Sequence, residues 1–433
     1  MEQRDINIKK SIKFGFSAKF ISIFIQLILI PFAIGRIGIE KYGLYSLLIT
    51  NFAPILIFSS ILSGNALTLR LIESRKKNDI EDQKQIFSTS IFSIFAISFI
   101  FFVFLLLLLI TTNLNWILNV DLVSSLDFRL AYALGAVLII LVELCLMPFD
   151  SAISAFQLVY LSNKFLVINN ILKILLLFLF LYVPSITLFL VCNYLPRLIT
   201  SIFPAFIFLK RYSYMYPNFK YFKYKSLLKI VRRGILLSLT KVSTYIYFSL
   251  PIVIISERNS LKEVAYLSGM FAIISFLGSM LTILTRTLMP SIKDASNASE
   301  MDWRNNTILK YGIIVLIILL LSAFCLSQSA NQIISFYLQQ NVDLGGLAIF
   351  AWVSFYFLCN WDHYTYTVLL SIDKHKEAIS LNFLGSLLTL ILLLRYNDNI
   401  GQILISLCIG SLICSFLPNI FIIKSALRNI KVN

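Results

Sequence analysis

Charge is scarce in this sequence. Of its 433 residues only 13% are Asp, Glu, Lys or Arg and 2 are His, against about 25% charged in an ordinary soluble domain. A globule covered by a polar shell is therefore excluded. Glycine (15) and proline (10) are also few, which argues against the many short alternating strands and turns of an outer-membrane barrel. The 6 cysteines, at positions 145, 192, 325, 359, 408 and 414, form no CxxC pair and all fall inside or at the ends of apolar segments. They read as small core residues, which excludes a disulfide framework or a zinc site. No Walker loop, paired-carboxylate site or Ser/His/Asp constellation is present. No catalytic residue, metal or cofactor is assigned.

What fills the chain is oil: 58% of it is hydrophobic and 14% aromatic. Crossing a bilayer takes about 20 apolar residues. Twelve such windows lie near 12–34, 43–66, 87–111, 132–159, 165–183, 185–209, 234–256, 265–290, 311–328, 345–371, 377–394 and 400–423. The fifth and sixth abut at Val183-Pro184-Ser185, so a count of eleven stays open. Residues 1–13 are basic, but the apolar run behind them is too long for a signal peptide and lacks a small-residue cleavage site, so it is kept as the first span. The expected fold is an all-α polytopic membrane protein.

Lys and Arg orient it, because cytoplasmic loops retain them. With the N-terminus inside, the outer loops hold only Arg36, Lys41, Arg129, Arg258, Lys262 and Arg395. Both termini are then cytoplasmic. The net charge of +16 becomes an orientation device and an attraction to anionic membrane lipids. The loop 210–233 interleaves Lys and Arg with Tyr and Phe, which suits an amphipathic segment on the inner leaflet better than stacking on bases. Nucleic acid is not an expected partner.

That loop divides the chain into candidate lobes 1–209 and 234–433, and the halves align. Residues 198–210 (LITSIFPAFIFLK) match 412–424 (LICSFLPNIFIIK) at an offset of 214, sharing Pro204/Pro418 and Lys210/Lys424. At an offset of 212 Asp150 meets Asp362, Lys164 meets Lys376 and Asn170 meets Asn382. Gly15 meets Gly234 and Pro31 meets Pro251 at offsets of 219 and 220. Six spans followed by six of the same orientation make a parallel repeat about an axis along the membrane normal, which encloses a central cavity. This is a transporter plan.

The basic start, the basic central loop and the first external turn, residues 35–46 (GRIGIEKYGLYS), give the chain its resemblance. It resembles the Wzx-type flippases of O-antigen and capsule synthesis, in the multidrug/oligosaccharidyl-lipid/polysaccharide (MOP) exporter superfamily. The resemblance implies a multi-pass protein of the bacterial inner membrane that takes part in lipopolysaccharide or capsule biosynthesis. Its implied task is to move an undecaprenyl-diphosphate-linked oligosaccharide from the cytoplasmic to the periplasmic leaflet by alternating access. It further implies two six-helix lobes around a cationic lumen, coupling to a proton or sodium gradient, and polymerase and chain-length proteins of the same pathway as partners.

An ionisable residue at the centre of a span costs about 2.5–3.5 kcal/mol on insertion scales, so each one is a candidate. Arg197 lies about 18 Å from Lys210 along its helix, too deep for easy snorkelling. A cavity role, forking onto diphosphate oxygens, is expected for it; an interhelical hydrogen bond is the plainer alternative. Lys19, Lys241 and Arg286 are further substrate-binding candidates, with snorkelling to the interface as the alternative. Asp150 and Lys173 sit at matching depths on neighbouring spans and could form a structural ion pair; a role in ion coupling is the alternative. Glu143 is seven residues from Asp150, two α-helical turns away on the same face. Asp362, inside the segment 359–368 (CNWDHYTYTV), has no such partner, because the position matching Lys173 is Gly385. An unpaired buried carboxylate beside His363 suits proton coupling; a salt bridge to a lumen cation is the alternative.

Three other functions compete. A polysaccharide polymerase or lipid-dependent glycosyltransferase needs polar equipment outside the membrane. The longest outer loops carry only Asp121, Asp127, Arg129 and Asp343. A cation-drug exporter of the same superfamily wants an acidic cavity, whereas Lys19, Lys173, Arg197, Lys241 and Arg286 outnumber Glu143, Asp150 and Asp362. A lipid II flippase is the nearest competitor.

Overall fold

The computed structural model describes residues 20–22, 24–25, 27–111, 126–258, 260–297, 301–372 and 374–428. Among these residues the chain forms twelve long helices. They are α1 (Phe20–Ile37), α2 (Ile39–Lys76), α3 (Ile80–Thr111), α4 (Leu126–Ala155), α5 (Val159–Tyr182), α6 (Ile186–Arg211), α7 (Tyr224–Glu257), α8 (Leu261–Asn297), α9 (Met301–Leu338), α10 (Gly345–Ser371), α11 (His375–Arg395) and α12 (Ile400–Lys424). Eleven of them contain a window long and apolar enough to cross a bilayer, and the chain is a polytopic membrane protein. The exception is α10, whose middle holds Asn360, Asp362 and His363. The fifth and sixth spans, which abut in sequence, are separate helices. Pro184 cannot donate to a ladder, and the Ser185 side chain caps α6 by accepting a hydrogen bond from the Leu188 N–H at 3.0 Å.

The turn between α1 and α2 explains part of the segment 35–46. Gly38 stands at φ 86°, a backbone conformation that costs a side chain dearly. Behind it Tyr42 and Leu44 are buried, and Tyr45 meets Phe189 edge to face.

The chain divides into two compact units, Met1–Lys241 and Val242–Asn433. The basic segment after α6 therefore belongs to the first unit. Two short 3-10 turns there, Ser213–Met215 and Phe219–Tyr221, pack against α3. Polar contacts fix them: the Tyr214 hydroxyl donates to Gln83, and the Asn218 and Lys223 N–H groups donate to Ser88 and Thr89. Arg233 pairs with Glu73 at 2.6 Å. At Gly234 a side chain would run into the Ile61 carbonyl, so the start of α7 and the middle of α2 touch backbone to backbone.

Three helices switch locally to π geometry, each just before a proline: Ile140–Cys145 before Pro148 in α4, Tyr245–Ser249 before Pro251 in α7, and Leu412–Phe416 before Pro418 in α12. Proline removes one N–H and its ring clashes with the carbonyl four residues back. The ladder responds by reaching one residue further, as in Leu146 N–H to Leu141 O at 3.2 Å. Such π segments often mark functional positions.

Candidate functional site

In the first unit four charges of α4, α5 and α6 gather in one place. Arg197, on α6 after Pro196, pairs with Glu143, which sits inside the π segment of α4. Half of the Arg197 side chain stays exposed while Glu143 is 17% exposed. Asp150 lies within electrostatic range of both and is held weakly by the Ser162 hydroxyl at 3.5 Å. Lys173, half-buried on α5, has Arg197 as its charged neighbour. Tyr194, one turn before Arg197, lies within electrostatic range of the same pair.

This corrects the expected pairing. No ion pair joins Asp150 to Lys173 among the described residues; the pair is Glu143 with Arg197. Equal depth does not decide which faces meet, and the π segment that contains Glu143 breaks the two-turn spacing to Asp150 assumed for them. The result is two carboxylates and two cations, with the cations adjacent and one of them open. Of the other basic candidates, Lys241 is exposed on α7 without an ion pair among the described residues. Arg286 is placed on α8 by its backbone, and Lys19 lies outside the described residues.

The second unit is built differently. Asp362 is only 8% exposed in the middle of α10. One carboxylate oxygen accepts from the Ser411 hydroxyl at 2.9 Å, and Ser415 approaches the same group. The other oxygen is buried without a hydrogen-bond partner, as are the hydroxyls of Tyr247 and Thr389 and the side-chain carbonyl of Asn419. Among the described residues no cation lies within ion-pair distance of Asp362. Tyr247 belongs to the π segment of α7 and Ser415 to that of α12, so both proline-induced shifts bear on this carboxylate.

The internal repeat relates the two clusters residue by residue. At the offset of 212, Glu143, Asp150 and Lys173 fall on Phe355, Asp362 and Gly385; extending the offset of 214 by one residue puts Arg197 on Ser411. Of four charges only the aspartate recurs. Gly385 has a packing reason. A Cβ there would stand 2.9 Å from both the Gly410 carbonyl and the Tyr247 hydroxyl, and 3.2 Å from Cys414. The space that Lys173 occupies in one unit is closed by backbone in the other. Sequence reading missed Ser411, Ser415, Tyr247 and Thr389, because hydroxyl residues are common in spans. The repeat contained the signal for Ser411.

No protein-family model matches the sequence, and no curated protein matches it. Solved structures do. An inward-facing multidrug resistance MATE family transporter of the MOP superfamily superposes with a TM-score of 0.74 at 16% identity, over 94% of this chain and 95% of that one. An outward-facing form of a multidrug resistance MATE family transporter gives 0.69 at 16%, over 97% and 96%. A MOP superfamily transporter from Pyrococcus furiosus, for which a binding pocket of reversed polarity suggests a different function, gives 0.66 at 14%, over 99% and 96%. Across nearly its whole length, then, the chain has the all-helical fold of MATE transporters of the MOP superfamily.

Proposed function

We propose that the chain is an alternating-access flippase that carries an undecaprenyl-diphosphate-linked oligosaccharide from the cytoplasmic to the periplasmic leaflet of a bacterial inner membrane. The fold supports transport, since chains of this fold have been solved both inward- and outward-facing. The observation that carries the anionic cargo is Arg197. It is half exposed, next to Lys173, and tied to one carboxylate that an incoming anion can replace. A diphosphate offers paired oxygens to the guanidinium fork and exchanges for Glu143. Lys173 adds a second positive charge, and Lys241, Lys19 and Arg286 serve as point charges on the way in. Asp150 and Glu143 balance the cations once the cargo has left.

Asp362 is the coupling group of this mechanism. It is buried against the Ser411 and Ser415 hydroxyls, with no cation within ion-pair distance among the described residues; in this mechanism it takes up a proton when exposed to the periplasm and releases it to the cytoplasm. Sodium coupling is the other outcome, distinguished by replacing sodium with choline at constant pH.

Deleting the gene in its host and analysing lipid-linked saccharides tests the cargo. The proposal expects single complete repeat units to accumulate on the cytoplasmic leaflet. Repeat units that reach the periplasm and stay unpolymerised would make the protein a polymerase. Intact polysaccharide together with hypersensitivity to organic cations would make it a drug exporter.

A further inference from the structure

The second unit contains a groove that the charge clusters do not use. Helices α9 and α12 both pack on α10, and the space between them is a cavity of about 560 Å³. Gly312 and Leu316 of α9 form one wall, Ile420 of α12 the other, and Trp361 and Tyr364 of α10 the floor. Gly312 keeps its wall low, since even a Cβ would come within 3.2 Å of the Tyr364 hydroxyl. That hydroxyl turns away from the groove's polar economy by donating to the Ile308 carbonyl at 2.6 Å. The lining is almost wholly apolar, and its one charged residue is Lys424, exposed at the end of α12.

The groove's extent follows from helix geometry. Along α9 the lining runs from Ile308 to Leu316, eight residues or about 12 Å. That is close to the depth of one leaflet, half of a hydrocarbon layer of about 30 Å. Leu309 and Ile313, on the rim, are more than half exposed. An apolar trough one leaflet deep, opening among exposed apolar residues and closed at the headgroup end by a single cation, is complementary in shape and charge to one kind of molecule. We propose that it seats an acyl chain of an anionic phospholipid, with the phosphate on Lys424 and the chain running over Tyr364 to Trp361. This site is separate from the Arg197 cluster and does not depend on what the protein transports.

Trp361 reports on the occupant, because bromine on an acyl chain quenches an indole in contact with it. The full chain, in mixed micelles, is titrated with phosphatidylglycerol or phosphatidylcholine brominated on the chains. The Trp361 signal is the difference between wild type and Trp361→Phe. Saturable quenching of that signal is expected, with half-quenching by phosphatidylglycerol at an about fivefold lower mole fraction, the preference that one lysine near a headgroup supplies. Lys424→Gln should keep the quenching and lose the preference. Absence of Trp361 quenching, equal quenching by the two lipids in the wild type, or an unchanged preference in Lys424→Gln would each overturn the assignment. Native mass spectrometry gives a second readout that needs no tryptophan variant: wild type should retain phosphatidylglycerol about fivefold more than Lys424→Gln does, and equal retention would overturn the Lys424 contact.

Discussion

Replacing Asp362 by Asn separates a switching carboxylate from a structural one. In the wild type one oxygen accepts a hydrogen bond from Ser411, Ser415 stands close to the carboxylate, and the other oxygen is buried without a well-formed hydrogen bond. An unsatisfied buried acceptor costs about 1–3 kcal/mol, and a charge at the centre of a spanning helix about 2.5–3.5 kcal/mol on insertion scales. Asparagine has nearly the same shape, keeps an acceptor for Ser411, and brings a donor into a pocket where the Tyr247 and Thr389 hydroxyls are buried close to each other. The variant should therefore be more stable than wild type at neutral pH, by about 1–3 kcal/mol. In thermal unfolding that is a gain of about 2–4 °C per kcal/mol for a domain of about 150–250 residues. It should also lose coupled transport, with surface polysaccharide in a complementation assay falling to about a tenth or less, the effect of a barrier about 1.4 kcal/mol higher. Higher stability with lost transport is the signature of a group retained for its protonation. A lower unfolding temperature with normal polysaccharide would refute the reasoning and make Asp362 a packing element.

Other variants probe the first unit and the packing. Arg197→Ala removes the partner of Glu143; because the pair is partly exposed, the cost in stability should lie between the surface and buried cases, about 1–2 kcal/mol. Surface polysaccharide should vanish at near-normal protein level, while Arg197→Lys should retain part of it, since the charge stays but the fork is lost. Wild-type polymer from Arg197→Ala would sink the cargo role. Gly385→Ala forces a methyl against the Gly410 carbonyl and the Tyr247 hydroxyl at 2.9 Å; overpacking should cost about 1–3 kcal/mol, read as a lower unfolding temperature in detergent. Gly234→Ala meets the Ile61 carbonyl head on and should sharply lower the yield of folded protein, whereas Gly346→Ala, with open space around it, should not.

The helices were legible because a bilayer leaves few options. Long apolar runs must cross as helices, and even the disputed break at Val183-Pro184-Ser185 was marked by a proline and a capping serine. Contacts between helices were a different matter. Depth along a span predicts which residues share a level, and it paired Asp150 with Lys173. The partner across a helix interface depends on rotation about the axis, and hydropathy says nothing of that. The π segment in α4 shifted that rotation between Glu143 and Asp150. Its cause, Pro148, was visible in the sequence, but its angular consequence was not. Among the described residues no cation lies within ion-pair distance of Asp362, in keeping with Gly385 at the position that matches Lys173, whereas its hydroxyl neighbours were hidden among ordinary serines and threonines.

The most direct measurement follows the cargo itself. Purified protein is reconstituted into vesicles whose undecaprenyl-diphosphate-linked repeat unit starts in one leaflet, and the sugar is oxidised from outside with impermeant periodate at intervals. The flippase account predicts that the protein moves the protected sugar into the oxidisable leaflet, that Arg197→Ala slows this to the rate of protein-free vesicles, and that Asp362→Asn abolishes its dependence on an imposed ion gradient. Sugar that stays protected in vesicles holding folded wild-type protein and a proton or sodium gradient of either sign would contradict it.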